Sequence, residues 1–216
     1  MFPILQSDNF RIHCIKNKIN NLIMISAILL AAGQSKRMQG ENKLLKKYKN
    51  RPLINHILKS LIKSKVNKII IVLGYESRKI KKIVLKSKKI TFVVNSQYLK
   101  GISTSIKCGL KKISNNNIGF LIVHADMPLV SKGIINILCG TIKNKNKEIF
   151  VPIYKNKTGN PLAFKYSMIK SLKKIKGDRG AKKLIRFNES KVQLVKMKSK
   201  SILIDFDQLK DFPSAT

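Results

Sequence analysis

This 216-residue sequence contains no tryptophan and only three cysteines. Proteins that hold single-stranded nucleic acid stack its bases on aromatic side chains, so the absence of tryptophan makes dedicated nucleic-acid binding the least favoured function. Cys14, Cys108 and Cys139 lie too far apart for a CxxC pair or a zinc-ligand spacing. We therefore expect reduced thiols in a cytoplasmic protein that has no disulfide framework.

Acidic residues are scarce as well. Ten Asp and Glu stand against 45 Lys and Arg, which gives a formal net charge of +35. This excess is either an electrostatic footprint for a polyanion or a compositional bias in which Lys, Ile and Asn accumulate together. We favour the bias, because the lysines are spread along the whole chain and arginine, which makes bidentate phosphate contacts, is rare. A positive surface would still favour the approach of a polyphosphate.

Long apolar runs are missing near the N-terminus. The stretch from Leu22 to Ala32 is shorter than the roughly 20 residues that a transmembrane helix needs, so we expect neither membrane association nor export. Residues 1–23 show no clear periodicity, and Met24 directly precedes the first predicted strand. We interpret residues 1–23 as an extension of unassigned role, with Met24 as the natural start or the extension as a dispensable arm. Residues 24–216 then form one domain.

Apolar strands alternate with amphipathic helices after Met24. The predicted strands are 26–32, 68–73, 91–94, 118–123, 148–153, 161–164, 191–197 and 201–206. The predicted helices are 53–62, 78–87, 103–113, 131–142, 166–175 and 179–188. This alternation predicts a single α/β domain with a doubly wound, mostly parallel sheet. Ligands of such sheets bind beyond the carboxyl ends of the strands, which directs attention to Gly33, Gly74, Asn95 and Asp126.

The loop after the first strand has the composition of an anion site. Gly33 allows a sharp turn and close backbone approach, and amides in such a turn can form an anion-binding nest. Arg37 and Lys43 add positive charge. The loop is neither a Walker A motif nor a GxGxxG fingerprint, so composition alone leaves a solvated basic loop equally open.

The order of residues carries more information. Leu-Ala-Ala-Gly-x-Ser-x-Arg-Met followed by Lys-Leu-Leu resembles the signature of MobA-like nucleotidyltransferases, and within that group the molybdenum cofactor cytidylyltransferases. The resemblance covers residues 25–212. Further matching segments are Val72–Glu76, Asn95–Gly101, Ser103–Ser105, Asp126–Pro128, Gly159–Pro161, Gly177–Ala181 and Asp205–Asp207. It implies a Rossmann-like nucleotidyltransferase fold.

The resemblance also implies roles for individual residues. The nucleotide would contact Leu30, Ala31, Ala32, Gly33, Ser35, Arg37, Lys43, Gly74, Asn95, Gly101, Ser103 and Ser105. Arg37, Lys43 and Asp126 would be catalytic, with Lys43 neutralising charge that builds on the α-phosphate. Asn160 and Arg179 would bind the acceptor.

A Mg²⁺ ion is the implied cofactor, with Asp126 and Asp207 as its ligands. Asp126 follows a strongly apolar strand, where a carboxylate is costly unless something compensates its charge. Its alternative role is a helix N-cap, which falls more naturally to Ser131. Asp207 departs from the family pattern, because Gln208-Leu209 replaces the usual Thr-Pro. A solvated aspartate therefore stays open for Asp207.

Three further polar residues have an alternative role in local structure. Asn95 would lie near the nucleotide or act as a strand-end cap. His124 is more typical of a packed strand-end residue than of a catalytic base. Asp178 could cap the helix that follows it.

The resemblance implies transfer of CMP from CTP to the phosphate of molybdenum-bound molybdopterin, with release of pyrophosphate. Ala32 adds a methyl group where guanosine-using relatives have glycine, which favours CTP over GTP. The implied partners are CTP, the molybdopterin-type acceptor and a molybdenum hydroxylase that receives the product. Two alternatives stay open: a nucleotidyltransferase acting on a sugar or polyol phosphate, and a non-catalytic protein that delivers the molybdenum cofactor.

Overall fold

The computed structural model describes residues 24–35, 37–38, 41–179 and 181–212. The predicted extension over residues 1–23 lies outside the described residues. The strands are β1 Met24–Ala31, β2 Lys47–Tyr48, β3 Arg51–Pro52, β4 Lys68–Leu73, β5 Ile90–Val94, β6 Asn117–His124, β7 Ile149–Tyr154, β8 Lys157–Thr158, β9 Leu162–Lys165 and β10 Val192–Lys196. The α-helices are α1 Leu53–Ile62, α2 Ser77–Ile83, α3 Ile102–Leu110, α4 Lys132–Asn144, α5 Ile169–Lys173 and α6 Lys182–Phe187.

The main sheet has β1 near its centre. Its strand order is β10-β7-β9-β6-β1-β4-β5, and β8 pairs with β7. Strand β1 is parallel to β4 and to β6, β4 is parallel to β5, and β7 is parallel to β10, whereas β9 is antiparallel to both β6 and β7. This mixed, mostly parallel sheet confirms the predicted α/β class. Within the described residues, no helix has the length and apolar content needed to cross a membrane.

Both faces of β1 are buried, because helices cover the sheet on each side. Ala27, Leu29 and Ala31 point into the core that contains the apolar faces of α1 and α4. Ile28 and Leu30 point into the opposite core, which contains α3 and α5. A strand buried on two faces needs a continuous apolar run, and β1 supplies one.

Gly109 brings α3 against the sheet. A Cβ atom at Gly109 would lie 2.4 Å from Cγ2 of Ile28 and 3.2 Å from Cγ2 of Val72, so a larger residue would push the helix away. This close approach positions the N-terminal end of α3, at Gly101, beside the carboxyl ends of the central strands.

The segment over residues 201–206 corrects the sequence prediction of a strand. It forms a 3-10 helix at Lys200–Leu203 followed by irregular chain. The Ser199 hydroxyl accepts the backbone N–H of Ser201 at 3.2 Å, which starts the turn. Ile202 and Phe206 are apolar because they pack into the core, not because the segment pairs with a strand.

Other differences concern short elements. The helices predicted over 166–175 and 179–188 are shorter, at Ile169–Lys173 and Lys182–Phe187. The β2–β3 hairpin was not predicted. Its turn residues Lys49 and Asn50 both have positive φ, at 45° and 58°, a conformation that asparagine tolerates well.

Candidate active site

A cleft of about 700 Å³ opens at the carboxyl ends of β1 and β6. This is the edge of the sheet where α/β proteins bind their ligands. Many residues predicted to act on the nucleotide or the metal line it, namely Leu30, Ala31, Ala32, Gly33, Ser35, Arg37, Lys43, Gly101, Ser105, Asp126 and Asp207. The structure thus brings together residues that lie up to 177 positions apart in the chain, from Leu30 to Asp207.

Lys43 lies at the centre of the charged groups in the cleft. Its Nζ donates to Oδ2 of Asp126 at 2.6 Å and to Oδ1 of Asp207 at 2.5 Å, and its side chain is only 14% exposed. Burial would lower the pKa of Lys43, but the two carboxylates outweigh that effect and hold this pKa above its ordinary value. Lys43 therefore carries its positive charge into a partly desolvated site.

Asp126 is fixed through its backbone. Its carbonyl accepts the N–H of Phe206 at 2.9 Å, and the preceding Ala125 donates to the carbonyl of Leu30 at 3.2 Å. The Asp126 side chain does not cap α4, because the hydroxyl of Ser131 fills that role by accepting from Ile134 N. Asp126 Oδ1 is buried and has no hydrogen-bond partner among the described residues.

Asp207 is held in place by Asp211, although Gln208-Leu209 replaces the Thr-Pro of the family pattern. Oδ2 of Asp211 accepts from the backbone N–H of Asp207 at 2.7 Å and of Gln208 at 2.8 Å. Arg37 donates to the other oxygen of Asp207, Oδ2, at 3.1 Å. Partial burial would raise the pKa of Asp207, but Lys43, with a further contribution from Arg37, holds this pKa below its ordinary value.

Aromatic packing holds the Asp207 segment against the domain. Phe206 lies edge-to-face against Tyr48, with ring centroids 4.9 Å apart, and against Phe212 at 5.4 Å. The Tyr48 ring also contacts His56, which bonds through Nε2 to the Tyr48 carbonyl at 2.7 Å. The hairpin that the sequence did not predict therefore supports a predicted site residue.

Asn95, Gly74 and Ser103 do not line the cleft, although all three were predicted to contact the nucleotide. The Asn95 amide donates to Thr104 Oγ1 at 2.8 Å and to Ser105 Oγ at 3.0 Å. Asn95 therefore links the end of β5 to the first turn of α3. A Cβ atom on Gly74 would lie 2.8 Å from Cβ of Ala32, which shows tight packing behind the loop. Ser103 is 2% exposed.

Of the two residues predicted to bind the acceptor, the structure places the side chain of one, Asn160, beside the cleft. Asn160 lines a second pocket of about 190 Å³, which shares Ile102, His124, Asp178 and Asp205 with the main cleft. Asp178 caps α3 and not the helix that follows it, because its Oδ1 accepts the N–H of Ile102 at 3.0 Å. The side chain of Arg179 lies outside what the structure describes.

The cleft is rich in carboxylates. Of the ten acidic residues in the chain, four line it: Asp126, Asp178, Asp205 and Asp207. No cleft-lining role was predicted for Asp178 or Asp205 from the sequence. The available signals were the scarcity of acidic residues and the position of both aspartates in segments that match the family, Gly177–Ala181 and Asp205–Asp207.

The carboxylates in the cleft are sufficient in number to hold the predicted Mg²⁺. Within the described part of the chain, no group of three or more His, Cys, Asp or Glu side chains is arranged to hold a metal ion. Mg²⁺ needs fewer protein ligands, since one or two carboxylates suffice when water and phosphate supply the rest. The unpartnered Asp126 Oδ1 is such an oxygen, and Asp207 shares Lys43 with it. The metal role of this pair stays a prediction.

Comparison with protein families matches residues 27–194 to the MobA-like NTP transferase domain. A probable UDP-N-acetylglucosamine pyrophosphorylase of Acanthamoeba polyphaga mimivirus is 31% identical over 150 residues, which are 67% of this chain and 58% of that protein. The bifunctional protein GlmU of Wigglesworthia glossinidia brevipalpis is 34% identical over 107 residues, 48% of this chain and 23% of GlmU. The chain thus spans little more than half of the first relative and about a quarter of the second.

Solved structures share the fold. A homolog of Mycobacterium tuberculosis Rv0371c from Mycobacterium sp. strain JC1 superposes with a TM-score of 0.76 at 23% identity, covering 87% of this chain and 92% of that one. The 4-diphosphocytidyl-2C-methyl-D-erythritol synthase of Anaerococcus prevotii gives 0.68 at 19% identity, covering 90% and 95%. At this level of identity, the likeness supports the architecture alone.

Proposed function

This chain belongs to the MobA-like NTP transferase domain family, and we propose that it transfers a nucleoside monophosphate from a nucleoside triphosphate to the phosphate of a sugar or polyol phosphate, releasing pyrophosphate. The observation that carries this proposal is the meeting of Lys43, Asp126 and Asp207 at the carboxyl edge of the sheet, beside the Gly33 loop. Polyphosphate needs cations and open backbone amides, while a metal ion needs carboxylate oxygens. This cleft offers both.

The reaction needs no general base from the protein. An oxygen of the acceptor phosphate is already an anion, and it attacks the α-phosphorus of the triphosphate. The new P–O bond forms as the bond to the oxygen that bridges the α- and β-phosphorus atoms breaks, and pyrophosphate leaves with that oxygen. Lys43, kept charged by its carboxylate partners, neutralises the negative charge that builds on the α-phosphate. Arg37, at the open side of the cleft, binds the outer phosphates.

We assign Asp126 and Asp207 to hold Mg²⁺. When bound, the ion supplies Lewis-acid stabilisation of phosphate oxygens. Asp126 is suited to this role because its buried Oδ1 has no hydrogen-bond partner among the described residues, a cost that a ligand would remove. Asp207 is suited because Asp211 fixes its backbone at the mouth of the cleft.

The second pocket supports a small, hydroxyl-bearing acceptor. Its volume of about 190 Å³ lies below the roughly 300–1,000 Å³ of pockets that enclose drug-sized ligands. Asp178 and Asp205 present carboxylates that accept hydrogen bonds from hydroxyl groups, and Asn160 offers an amide. Ile122 and Leu162 supply an apolar wall for the carbon skeleton. The relative named as a probable UDP-N-acetylglucosamine pyrophosphorylase agrees with this choice.

Molybdopterin with CTP is the alternative pair of substrates. It rests on the sequence motifs, and the relatives described above carry no molybdenum-related name. The argument that Ala32 excludes purines also weakens, because Ala32 is 4% exposed and packs tightly against Gly74. We therefore rank a sugar or polyol phosphate first as the acceptor, and the relative named for UDP-N-acetylglucosamine, not Ala32, favours a pyrimidine triphosphate.

Pyrophosphate release tests this proposal. The protein would be incubated with Mg²⁺ and each of UTP, CTP and GTP, in the presence of N-acetylglucosamine 1-phosphate, 2C-methyl-D-erythritol 4-phosphate or molybdopterin. We expect release that depends on a sugar or polyol phosphate and is lost in Asp126→Asn. Release only with molybdopterin would overturn the proposed acceptor and leave nucleotidyl transfer standing. No release with any pair, from protein that binds nucleotide, would contradict all three acceptors.

A further inference from the structure

The two carboxylates beside Lys43 differ in how many of their oxygens are occupied by cations of the protein. Asp207 has both oxygens engaged, Oδ1 by Lys43 at 2.5 Å and Oδ2 by Arg37 at 3.1 Å. Asp126 has one engaged, Oδ2 by Lys43 at 2.6 Å, and its Oδ1 is buried without a hydrogen-bond partner among the described residues. Asp126 therefore has one oxygen without a protein partner in the described part of the chain, whereas both oxygens of Asp207 already accept from protein cations.

We propose that Lys43 competes with the divalent cation for the Asp126–Asp207 pair, and that the triphosphate recruits this cation by drawing Lys43 and Arg37 away from Asp207. In the nucleotide-free protein, Lys43 is an internal counter-ion that occupies oxygens a metal ion would use. When polyphosphate enters, Lys43 and Arg37 gain phosphate partners and Asp207 is freed. Nucleotide and metal thereby bind cooperatively.

Electrostatics makes this exchange necessary. Lys43 and the two aspartates are largely shielded from water, with exposed fractions of 14%, 18% and 35%. The positive charge of Lys43 would strongly repel a divalent cation placed beside Nζ, because screening by solvent is reduced in such a site. A divalent cation held by both carboxylates would therefore displace Lys43, and the displaced ammonium would gain the negative charge of the triphosphate as its partner.

This inference rests on the proposed metal role of Asp126 and Asp207, and it adds a second role for Lys43. It predicts that removal of a lysine which is needed for catalysis strengthens metal binding. Loss of a simple structural or catalytic contact would not produce that gain.

Binding of Mn²⁺ alone, without nucleotide, tests the competition. The concentration of free Mn²⁺ is followed by electron paramagnetic resonance for the wild-type protein, Lys43→Met and Lys46→Met. Lys46 is a matched control, because it removes the same charge but pairs with Glu41 at 3.5 Å. We expect Lys43→Met to bind Mn²⁺ about tenfold more tightly than the wild type, and Lys46→Met to bind as the wild type does. Equal or weaker binding by Lys43→Met overturns the proposal.

Two further variants complete the test. Adding Asp126→Asn to Lys43→Met should abolish the gain, and a gain that persists would overturn the assignment to this carboxylate pair. Arg37→Met should tighten Mn²⁺ binding by about threefold, since Arg37 is more exposed and better screened. If Lys43→Met does not fold, Arg37→Met replaces it as the test variant. Unchanged Mn²⁺ binding by Arg37→Met would then overturn the proposal. No substrate turns over in these measurements, so their outcome is independent of whether the chain transfers a nucleotide.

Discussion

The cleft and the outer surface of this protein differ sharply in charge. The chain as a whole carries a formal charge of +35, yet four of its ten acidic residues line one cleft. Only there does a lysine lie between two shielded carboxylates within the described residues. The difference shows that the net charge of this chain reflects its high lysine content, whereas the positions of its few aspartates indicate where the candidate active site lies. A cleft that offers both signs of charge suits a metal–polyphosphate pair better than a plain polyanion.

Neutralising a carboxylate in the cleft should have the largest effect. We expect Asp126→Asn to lower the rate of pyrophosphate release by about a hundredfold or more, because a carboxylate that we assign to hold Mg²⁺ is lost. Lys79→Gln removes a charge from the outer surface, where that side chain is 68% exposed, and should change the rate by less than about twofold. Steady-state kinetics measures both variants. Similar losses in the two would break the contrast between cleft and surface.

The next largest effect should be on stability, when the aromatic packing that anchors the Asp207 segment is removed. Phe206 is 5% exposed and packs on two other rings, so Phe206→Ala should cost about 3 kcal/mol of unfolding free energy. Phe187→Ala makes the same change on a ring that is 73% exposed, and should cost less than about 0.5 kcal/mol. Urea unfolding measures both. A small loss in Phe206→Ala would show that the Asp207 segment is not anchored by this packing.

Asp211 tests whether a residue outside the cleft affects its function. It does not line the cleft, but it holds the backbone of Asp207, which does. Asp211→Ala removes the acceptor for the N–H groups of Asp207 and Gln208, so we expect a loss of about 1 kcal/mol in stability. The rate should fall by about tenfold as Asp207 loses its fixed position. Asp211→Asn keeps one oxygen acceptor and should recover part of both losses. Full activity in Asp211→Ala would contradict the positioning role.

The pH dependence of stability gives the smallest effect. The lowered pKa of Asp207 means that its ion pairs stabilise the fold above the ordinary pKa of aspartate, and this contribution is lost as pH falls through the lowered value. The raised pKa of Lys43 means that its contribution is present below about pH 10 and is lost at higher pH. Wild-type protein should therefore exceed Asp207→Asn in unfolding free energy at neutral pH, with the gap closing in strong acid. Urea titrations at several pH values measure it, and a gap that widens in acid would reverse the sign of the interaction.

The local elements of the fold could be predicted well from the sequence. Helix α1 and strand β4 begin and end where their patterns indicate, at Leu53–Ile62 and Lys68–Leu73. In these segments, apolar periodicity, Pro52 before the helix and Gly74 after the strand all agree. Residues 201–206 gave a strand-like apolar pattern, but those side chains are buried by packing on distant elements. Periodicity does not distinguish these two causes of burial.

The site was predictable where the resemblance to the family or the end of a strand marked its residues. Gly33, Lys43 and Asp126 meet this condition, and the structure brings them to one cleft. The partner of Asp178, by contrast, is the N–H of Ile102, 76 positions away. Such long-range hydrogen bonds depend on how α3 packs on the sheet, which no local pattern encodes. The same applies to Asn95, whose amide bonds inward to α3 instead of facing the cleft.

The central claim is that the α-phosphate, and no other, is transferred to the acceptor. The most direct measurement uses UTP or CTP labelled with radioactive phosphorus at either the α- or the γ-phosphate, together with the sugar or polyol phosphate that supports pyrophosphate release. The account predicts that the α-label appears in the nucleotide-linked product and the γ-label in pyrophosphate. Transfer of the γ-label to the acceptor, or consumption of the triphosphate with no label in a joined product, would contradict it.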